Sequence, residues 1–166
     1  MELLRRFTDE QYRYALESWN WIGLEGKYPM FTSPFGDVFL GAEDGVWWLD
    51  TFYGKLSYLW GSVEECEAEL QTRDGQQLYL RADLAVAAAA HGLTPNESQI
   101  YDLTHPAVLG GDPQIGNVQV MDFVTALGMA GQIHDQVRFI PEGAQINIAV
   151  PGPEPRRGWR RWFGRD

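Results

Sequence analysis

The sequence predicts an α+β fold, a small antiparallel sheet with helices packed on one side of it. The first observation is the stretch 35–62, where Asp-Gly and Gly-Lys turn signals separate short runs rich in Val, Trp and Tyr. The second is a change to helical spacing of apolar residues from Met121 to Val137. We therefore expect a sheet made of the meander around 35–60 plus short strands near 100–120.

Local signals place the first elements. Thr8 followed by Gln11 is a capping box and predicts a helix that starts there. Turn-forming glycine and prolines in the stretch 23–34 predict a connector into the sheet. Asp44-Gly45 between apolar runs predicts a hairpin whose two turn residues both adopt positive φ.

The later elements follow from caps, breakers and alternation. Ser62 with Glu65 forms a second capping box, and the helix it opens should end before a further helix over about 76–91. The stretch 98–112 contains two brief extended pieces around Pro106, and 117–120 is another strand candidate. Gly128 and Gly131 weaken the last helix, so we expect a neighbouring element to approach it closely there.

The chain is expected to form one domain over residues 1–150, with an edge strand at 146–150. A tail follows at 151–166, first rich in proline and then in Arg and Trp, and we expect it to be flexible. Arg interleaved with Trp also suits a membrane-surface anchor, a nucleic-acid contact or a clamp on the acidic body.

The charge is strongly negative and unevenly distributed. The whole chain carries −10, and residues 1–153 hold 8 basic and 21 acidic side chains, a net charge of −13. Such a body repels nucleic acid and anionic membrane, so we expect neither a nucleic-acid partner nor stable membrane association. It attracts basic partners at long range, although a negative charge serves solubility equally well.

No residue pattern indicates catalysis, a cofactor or a metal. His105 and His134 lack the further ligands of a zinc site, and the aspartates near the hairpin lack the spacing of a calcium loop. Cys66 is the only cysteine and is expected to be a structural residue within a helix. With no apolar run suited to a signal peptide or a membrane span, the expected location is the cytoplasm.

Two segments, IYDLTHPAVLGG (100–111) and GNVQVMDFVTALGMAGQI (116–133), resemble the C-terminal domain of certain type VI secretion immunity proteins. The meander at 35–62 is similar to what lies upstream in that group, so the resemblance covers roughly residues 30–140. It implies an antidote, not an enzyme, that binds and neutralises a cognate toxic effector, often a nuclease, inside the producing cell. Two-domain members carry another domain before this one, and only about 30 residues precede the meander here.

A partner surface is predicted where acidic turns and helix starts border the aromatic sheet, because loops on a rigid scaffold commonly carry contacts. The candidate partner-binding residues are Asp37, Glu43, Asp44, Asp50, Phe52, Tyr53, Glu64 and Glu65. Phe52 or Tyr53 would be the aromatic anchor. The alternative is a small-ligand-binding or regulatory module, or a degenerate enzyme, with an aromatic pocket near Trp47, Trp48 and Tyr53.

Overall fold

The computed structural model describes residues 1–145, and this part of the chain forms six strands and five α-helices. In chain order they are α1 (Asp9–Leu16), β1 (Tyr28–Thr32), β2 (Val38–Ala42), β3 (Gly45–Asp50), β4 (Lys55–Trp60), α2 (Val63–Leu70), α3 (Arg73–Leu80), α4 (Ala82–Ala90), β5 (Gln99–Leu103), β6 (Val118–Asp122) and α5 (Phe123–Val137). Short 3-10 helices are Glu17–Ile22, Ala107–Leu109 and Ile115–Asn117. The edge strand and the tail predicted after residue 145 lie outside the described residues.

The strands confirm the α+β class. β1 to β4 form an antiparallel meander in chain order, and β5 pairs with β6 in a separate two-stranded antiparallel sheet. The short strands near 100–120 therefore pair with each other and not with the meander. A single backbone hydrogen bond of 2.9 Å, from Tyr101 N–H to the Pro34 carbonyl, connects the β5 strand to the loop before β2.

The meander has one strand more than the sequence predicted, because the expected connector at 23–34 contains β1. Pro29 was counted as a turn former, yet β1 is an edge strand, where a missing N–H breaks no inner hydrogen bond. The pairing with β2 is irregular between Pro29 and Phe31. Backbone hydrogen bonds of 2.8 Å in each direction between Arg5 and Thr32 protect the outer side of this strand.

Helices cover both faces of the meander, so the expectation of helices on one side is wrong. Val38, Phe39 and Leu40 are consecutive and all buried, and alternate residues of a strand point to opposite faces. One face packs against α1 and α5 in a core that includes Tyr12, Leu40, Leu49, Phe123 and Leu127. The other packs against α2 and α3 in a core that includes Phe39, Val46, Trp60, Cys66 and Leu70.

The predicted helix starts are confirmed. The Thr8 hydroxyl accepts from Gln11 N–H at 3.2 Å, and the Gln11 side chain accepts from Thr8 N–H at 2.9 Å, which completes a capping box for α1. The Ser62 hydroxyl accepts from Glu65 N–H at 3.2 Å and caps α2, but the Glu65 side chain bonds Gly61 N–H instead of Ser62 N–H, so the predicted second capping box is only half formed. Both caps satisfy N–H groups that have no partner within their helix.

α5 agrees with the predicted helix, while the segment before β6 differs. Gly131 is in close contact with Ser18 and Trp19, so a Cβ there would displace the 3-10 helix that follows α1. A Cβ on Gly128 would meet nothing within 4 Å, so close approach explains only one of the two glycines. Val108 and Leu109 lie in a 3-10 turn instead of a second extended piece, and Gly110 ends that turn at φ 94°.

The helix expected over 76–91 is two helices, α3 and α4, separated at Arg81. Arg81 adopts φ 49° and ψ 48°, the left-handed conformation, and is the only non-glycine residue with positive φ in the described part of the chain. Its N–H bonds the Gln76 carbonyl and closes the end of α3. Glycine usually occupies this position, so an arginine there is no local signal for a break.

The break directs the Arg81 guanidinium at two carboxylates, and we call Asp37, Asp50 and Arg81 the Arg81 cluster. One guanidinium nitrogen contacts the Asp37 carboxylate, and the other lies 3.3 Å from Asp50 Oδ1. The Asp37 side chain is fully buried and also accepts hydrogen bonds from Ser33 Oγ and from the N–H and hydroxyl of Thr51. The cluster therefore fixes the loop before β2, the end of β3 and the α3–α4 junction.

Two buried carboxylates share one cation in this cluster. Burial, followed by the negative charge of Asp37, raises the pKa of Asp50, and Arg81 partly opposes that rise. Backbone N–H groups of Phe52 and Tyr53 add hydrogen bonds of 3.0 and 3.3 Å to Asp50 Oδ1. Removal of the guanidinium would leave both charges buried without a counter-ion.

We predict that Arg81→Met lowers the free energy of unfolding by about 3–5 kcal/mol, because it leaves two buried carboxylates unpaired. Urea denaturation at pH 7 measures the loss. Arg13→Met is the matched control, since Arg13 is exposed and lies 3.9 Å from Glu10; its loss should stay below about 1 kcal/mol. Equal losses in the two variants would contradict a structural role for the cluster. Adding Asp37→Asn and Asp50→Asn to Arg81→Met should restore part of the stability.

Candidate functional site

The β2–β3 hairpin ends in a rigid acidic loop. Its two loop residues, Glu43 and Asp44, are exposed, while Ala42 pairs with Gly45. Only Gly45 has positive φ (140°), so the expectation of positive φ at both turn residues is wrong. The Asp44 side chain accepts from Trp47 Nε1 at 3.0 Å, and its backbone carbonyl accepts from the Tyr58 hydroxyl at 2.9 Å. These bonds hold the loop against β3 and β4.

The start of α2 lies directly beside this loop. A Cβ on Gly45 would collide with the Trp60 carbonyl and approach the Gly61 backbone to 3.1 Å, so the hairpin and the β4–α2 junction are in contact. Glu65 accepts from Gly61 N–H at 3.0 Å and is held at the same place. The structure thus brings together four exposed predicted residues, which we call the acidic tip: Glu43, Asp44, Glu64 and Glu65.

The acidic tip forms no ion pair within residues 1–145, although Lys27 lies over the Trp47 ring, 4.3 Å from its centroid. Residues 43–71 contain seven acidic side chains and one basic side chain, Lys55. Lys55 pairs across the sheet with Asp50, at the other end of β3. Among residues 1–145, no basic side chain lies within 4 Å of a tip carboxylate oxygen. The tip is therefore a concentrated negative surface on a rigid support.

Tyr58 is an exposed aromatic residue beside the tip and was not among the predicted partner-binding residues. Its side chain is 47% exposed and packs edge-on against Trp47, with 5.5 Å between ring centroids. Tyr53 is also exposed, but it follows β3 at the end opposite the loop, about 20 Å away along the strand. Tyr58 was identifiable in principle, because the hairpin register places it opposite Trp47, next to the turn.

Asp37, Asp50 and Phe52 are buried, so they do not belong to an exposed partner surface. The two aspartates were chosen for their charge, and that charge is used inside the Arg81 cluster. The Arg81 guanidinium lies over the Phe52 ring, with 3.8 Å between Arg81 Cζ and the ring centroid. This cation–π contact explains the burial of an aromatic side chain next to charged groups.

The cysteine and two of the histidines, the side chains most often used in catalysis or metal binding, are protonated or hydrogen-bonded within the fold. Burial, followed by the nearby charges of Glu67 and Glu69, raises the pKa of Cys66 to about 12, so the thiol stays protonated at neutral pH. His105 Nε2 lies 2.9 Å from the Leu109 carbonyl, and His134 Nε2 lies 2.8 Å from the Thr51 carbonyl. Within residues 1–145, no group of three or more His, Cys, Asp or Glu side chains has a metal-binding arrangement.

A second feature is a small cavity of about 100 Å³ between the β5–β6 sheet and α5. Most of its lining is apolar, including Ile100, Leu103 and Ile133, but Asp102 also lines it. Asp102 Oδ2 accepts from Gln119 Nε2 at 3.1 Å. Burial raises the pKa of Asp102, and the bond from Gln119 only partly offsets this. We call this feature the Asp102 cavity; the sequence analysis treated its strands as structural.

His134 also lines the cavity but supplies no positive charge. Burial lowers its pKa, so the ring is neutral at pH 7. A neutral ring with its proton on Nε2 donates to the Thr51 carbonyl. The feature that combines an enclosed volume with a polar side chain is thus the Asp102 cavity. Trp47, Trp48 and Tyr53, near which an aromatic pocket was expected, do not line it.

No family model and no curated protein matches this chain. In the part of the chain that the structure describes, no helix has the length and apolar content needed to cross a bilayer.

We predict that Asp102→Asn raises the melting temperature at pH 7, because the folded state then no longer holds a half-buried charge without an ion-pair partner in residues 1–145. Since the folded pKa of Asp102 lies above its ordinary value of 3.8, the charge destabilises the fold as pH rises through that folded pKa. The difference between variant and parent should shrink as pH falls towards 3.8 and below. Thermal melts from pH 3 to pH 8 measure it.

Asp112→Asn is the control for this prediction. Asp112 is exposed in the loop between β5 and β6, so its substitution should shift the melting temperature little at any pH. Asp50 and His134 titrate in all three proteins, and their contributions cancel in the difference. A lower melting temperature for Asp102→Asn at pH 7 would show that the charge has a counter-ion in solution.

Proposed function

We propose that this protein is a cytoplasmic immunity protein that binds a cognate type VI secretion effector and neutralises it by occlusion. The observation that carries the proposal is the acidic tip, four exposed carboxylates around the exposed Tyr58 that form no ion pair within residues 1–145. The resemblance of segments 100–111 and 116–133 to immunity proteins supports the same function. Neither catalysis nor a cofactor is part of the proposal.

The chemistry of the tip selects a basic partner. A nuclease that holds phosphates presents Lys and Arg at its substrate groove, so a negative surface is complementary to it. The charge of −13 over residues 1–153 would steer such a protein towards the tip and raise the association rate. Tyr58 would add the aromatic contact that slows dissociation. Occlusion then follows because the bound tip occupies the surface that the effector needs for its substrate.

The rigidity of the tip favours binding without rearrangement. The Trp47 and Tyr58 side chains bond Asp44, and Glu65 bonds the Gly61 backbone, so the carboxylates are positioned before a partner arrives. Preorganised groups lose less conformational entropy on binding. A second candidate, a small-ligand-binding module, is favoured by the Asp102 cavity.

We predict that the double variant Glu43→Lys, Asp44→Lys has an association rate constant for the cognate effector at least about tenfold below that of the parent. Exposed charges at the rim of an interface act mainly on the association rate. Its rate should also depend less steeply on salt. Surface plasmon resonance at 50 and 300 mM salt measures both effects. Glu97→Lys with Asp112→Lys makes the same charge change at exposed positions away from the tip and should preserve most of the rate.

Tyr58→Ala should act on dissociation instead, since loss of a central aromatic contact shortens the lifetime of a complex. The melting temperature of each variant shows whether the fold survives. In cells that express the effector, the tip variants should protect growth less well than the Glu97, Asp112 variant. If all variants bind with parental kinetics, the acidic tip is not the interface; if the parent neither binds nor protects, the proposed function is wrong.

A further inference from the structure

The Asp102 cavity contains a half-buried carboxylate that forms no ion pair within residues 1–145. Asp102 pairs with Gln119 across the β5–β6 ladder, and Ile100 pairs with Met121 two residues away. Residues i and i+2 of a strand share a face, so all four side chains lie on the side that α5 covers. The α5 residues there are apolar, such as Ala130 and Ile133, with the exception of His134. A carboxylate has therefore been placed in a mostly apolar interface.

No cation in the described residues accompanies this carboxylate. Asp102 forms no salt bridge, and the groups that act on its pKa are the surrounding burial, Gln119 and a backbone N–H. Arg81, by contrast, is committed to the two carboxylates of its own cluster. His134 lines the same cavity but is neutral at pH 7, since burial lowers its pKa.

Within residues 1–145, no ion pair explains an Asp at this position. An asparagine would still accept the hydrogen bond from Gln119 Nε2 and would bury no charge, so it should stabilise the fold. A half-buried carboxylate that no cation of residues 1–145 neutralises is typical of a binding site, where the missing partner arrives with the ligand. Here the missing partner is a cation.

The size and the lining restrict which cation fits. A volume of about 100 Å³ is well below that of pockets for drug-sized ligands, which excludes nucleotides and large cofactors. A bare metal ion would need further carboxylate, imidazole or thiolate ligands, and the described residues do not provide such a group. Apolar walls suit a short hydrocarbon stem, and a carboxylate suits an ammonium head that donates hydrogen bonds.

We propose that the Asp102 cavity binds a primary ammonium group carried on a short aliphatic stem. The ammonium donates to the Asp102 carboxylate, and Ile100, Met129 and Ile133 bury the stem. The mouth lies near Thr104, the exposed member of the lining. This chemistry belongs both to a free alkylamine and to the lysine side chain of a bound protein. The proposal stands apart from the acidic tip and does not rest on the immunity function.

The test uses methyl-labelled full-length protein and titrates it with three probes of nearly equal shape, n-butylammonium, 1-butanol and butyrate. We expect n-butylammonium to shift the methyl resonances of Ile100 and Ile133 saturably. We expect it to bind at least about tenfold more tightly than 1-butanol, because only the ammonium forms a charge-assisted hydrogen bond. Butyrate should not bind. Equal affinity for n-butylammonium and 1-butanol, or no saturable shift with either, would overturn the proposal.

Two variants place the binding in the cavity. Asp102→Asn should remove the preference for n-butylammonium over 1-butanol, and an unchanged preference would overturn the role of the carboxylate. Ala130→Leu should fill the cavity and abolish binding of both probes, whereas Ala90→Leu, at an exposed position of α4, should not. If Ala130→Leu does not fold, Asp102→Asn alone decides the outcome.

A further arm distinguishes the two sources of the ammonium. N-acetyl-lysine methylamide carries the same head and stem on a peptide backbone. If it shifts the same methyl resonances with an affinity near that of n-butylammonium, the cavity accepts a lysine side chain of a bound protein. If only n-butylammonium binds, the ligand is a free amine. Failure of both probes overturns the proposal and leaves the acidic tip as a separate question.

Discussion

The contact of one guanidinium with two buried carboxylates determines how the parts of this molecule are joined. Arg81 lies between α3 and α4, Asp37 precedes β2, and Asp50 ends β3. Thr51 extends the connection, since its N–H and hydroxyl donate to Asp37 while its carbonyl lies 2.8 Å from His134 Nε2 of α5. Helices from both faces of the meander are thereby fixed to one end of it. Without the cation, this junction would hold two unpaired charges.

Fixing one end of the β2–β3 pair leaves the other end available for contact. At the fixed end, Val38 pairs with Leu49 in the core, and the adjacent carboxylates are buried and bonded. At the free end, Ala42 pairs with Gly45, and the adjacent carboxylates are exposed. Carboxylates therefore stabilise the fold at one end of the β2–β3 pair and face solvent at the other end. The hydrogen-bonded strands β2 and β3 connect the Arg81 cluster to the acidic tip and hold the tip in one position. A binding surface on such a support is preformed.

Features that depend on neighbouring residues were predictable, and those that depend on distant contacts were not. The Thr8 and Ser62 caps and the α5 helix follow from spacing within a few residues. The break at Arg81 depends on carboxylates 44 and 31 residues away, and no glycine or proline marks it. Arg81 is also the counter-ion that allows the Asp37 and Asp50 carboxylates to be buried. From composition alone these two aspartates cannot be told from the exposed Glu43 and Asp44.

Exposed and buried carboxylates do not carry equal weight as signs of function. A solvated carboxylate at the acidic tip costs the folded state little free energy, and solubility alone would favour it. A carboxylate that is partly withdrawn from water and has no cation destabilises the fold, and it contributes less to solubility than an exposed one. Asp37 and Asp50 are explained by Arg81, and the four tip residues are consistent with solubility as well as binding. Asp102 is explained by neither, because Gln119 would bond an asparagine as well. The strongest physical indication of a ligand is therefore the single carboxylate that faces α5.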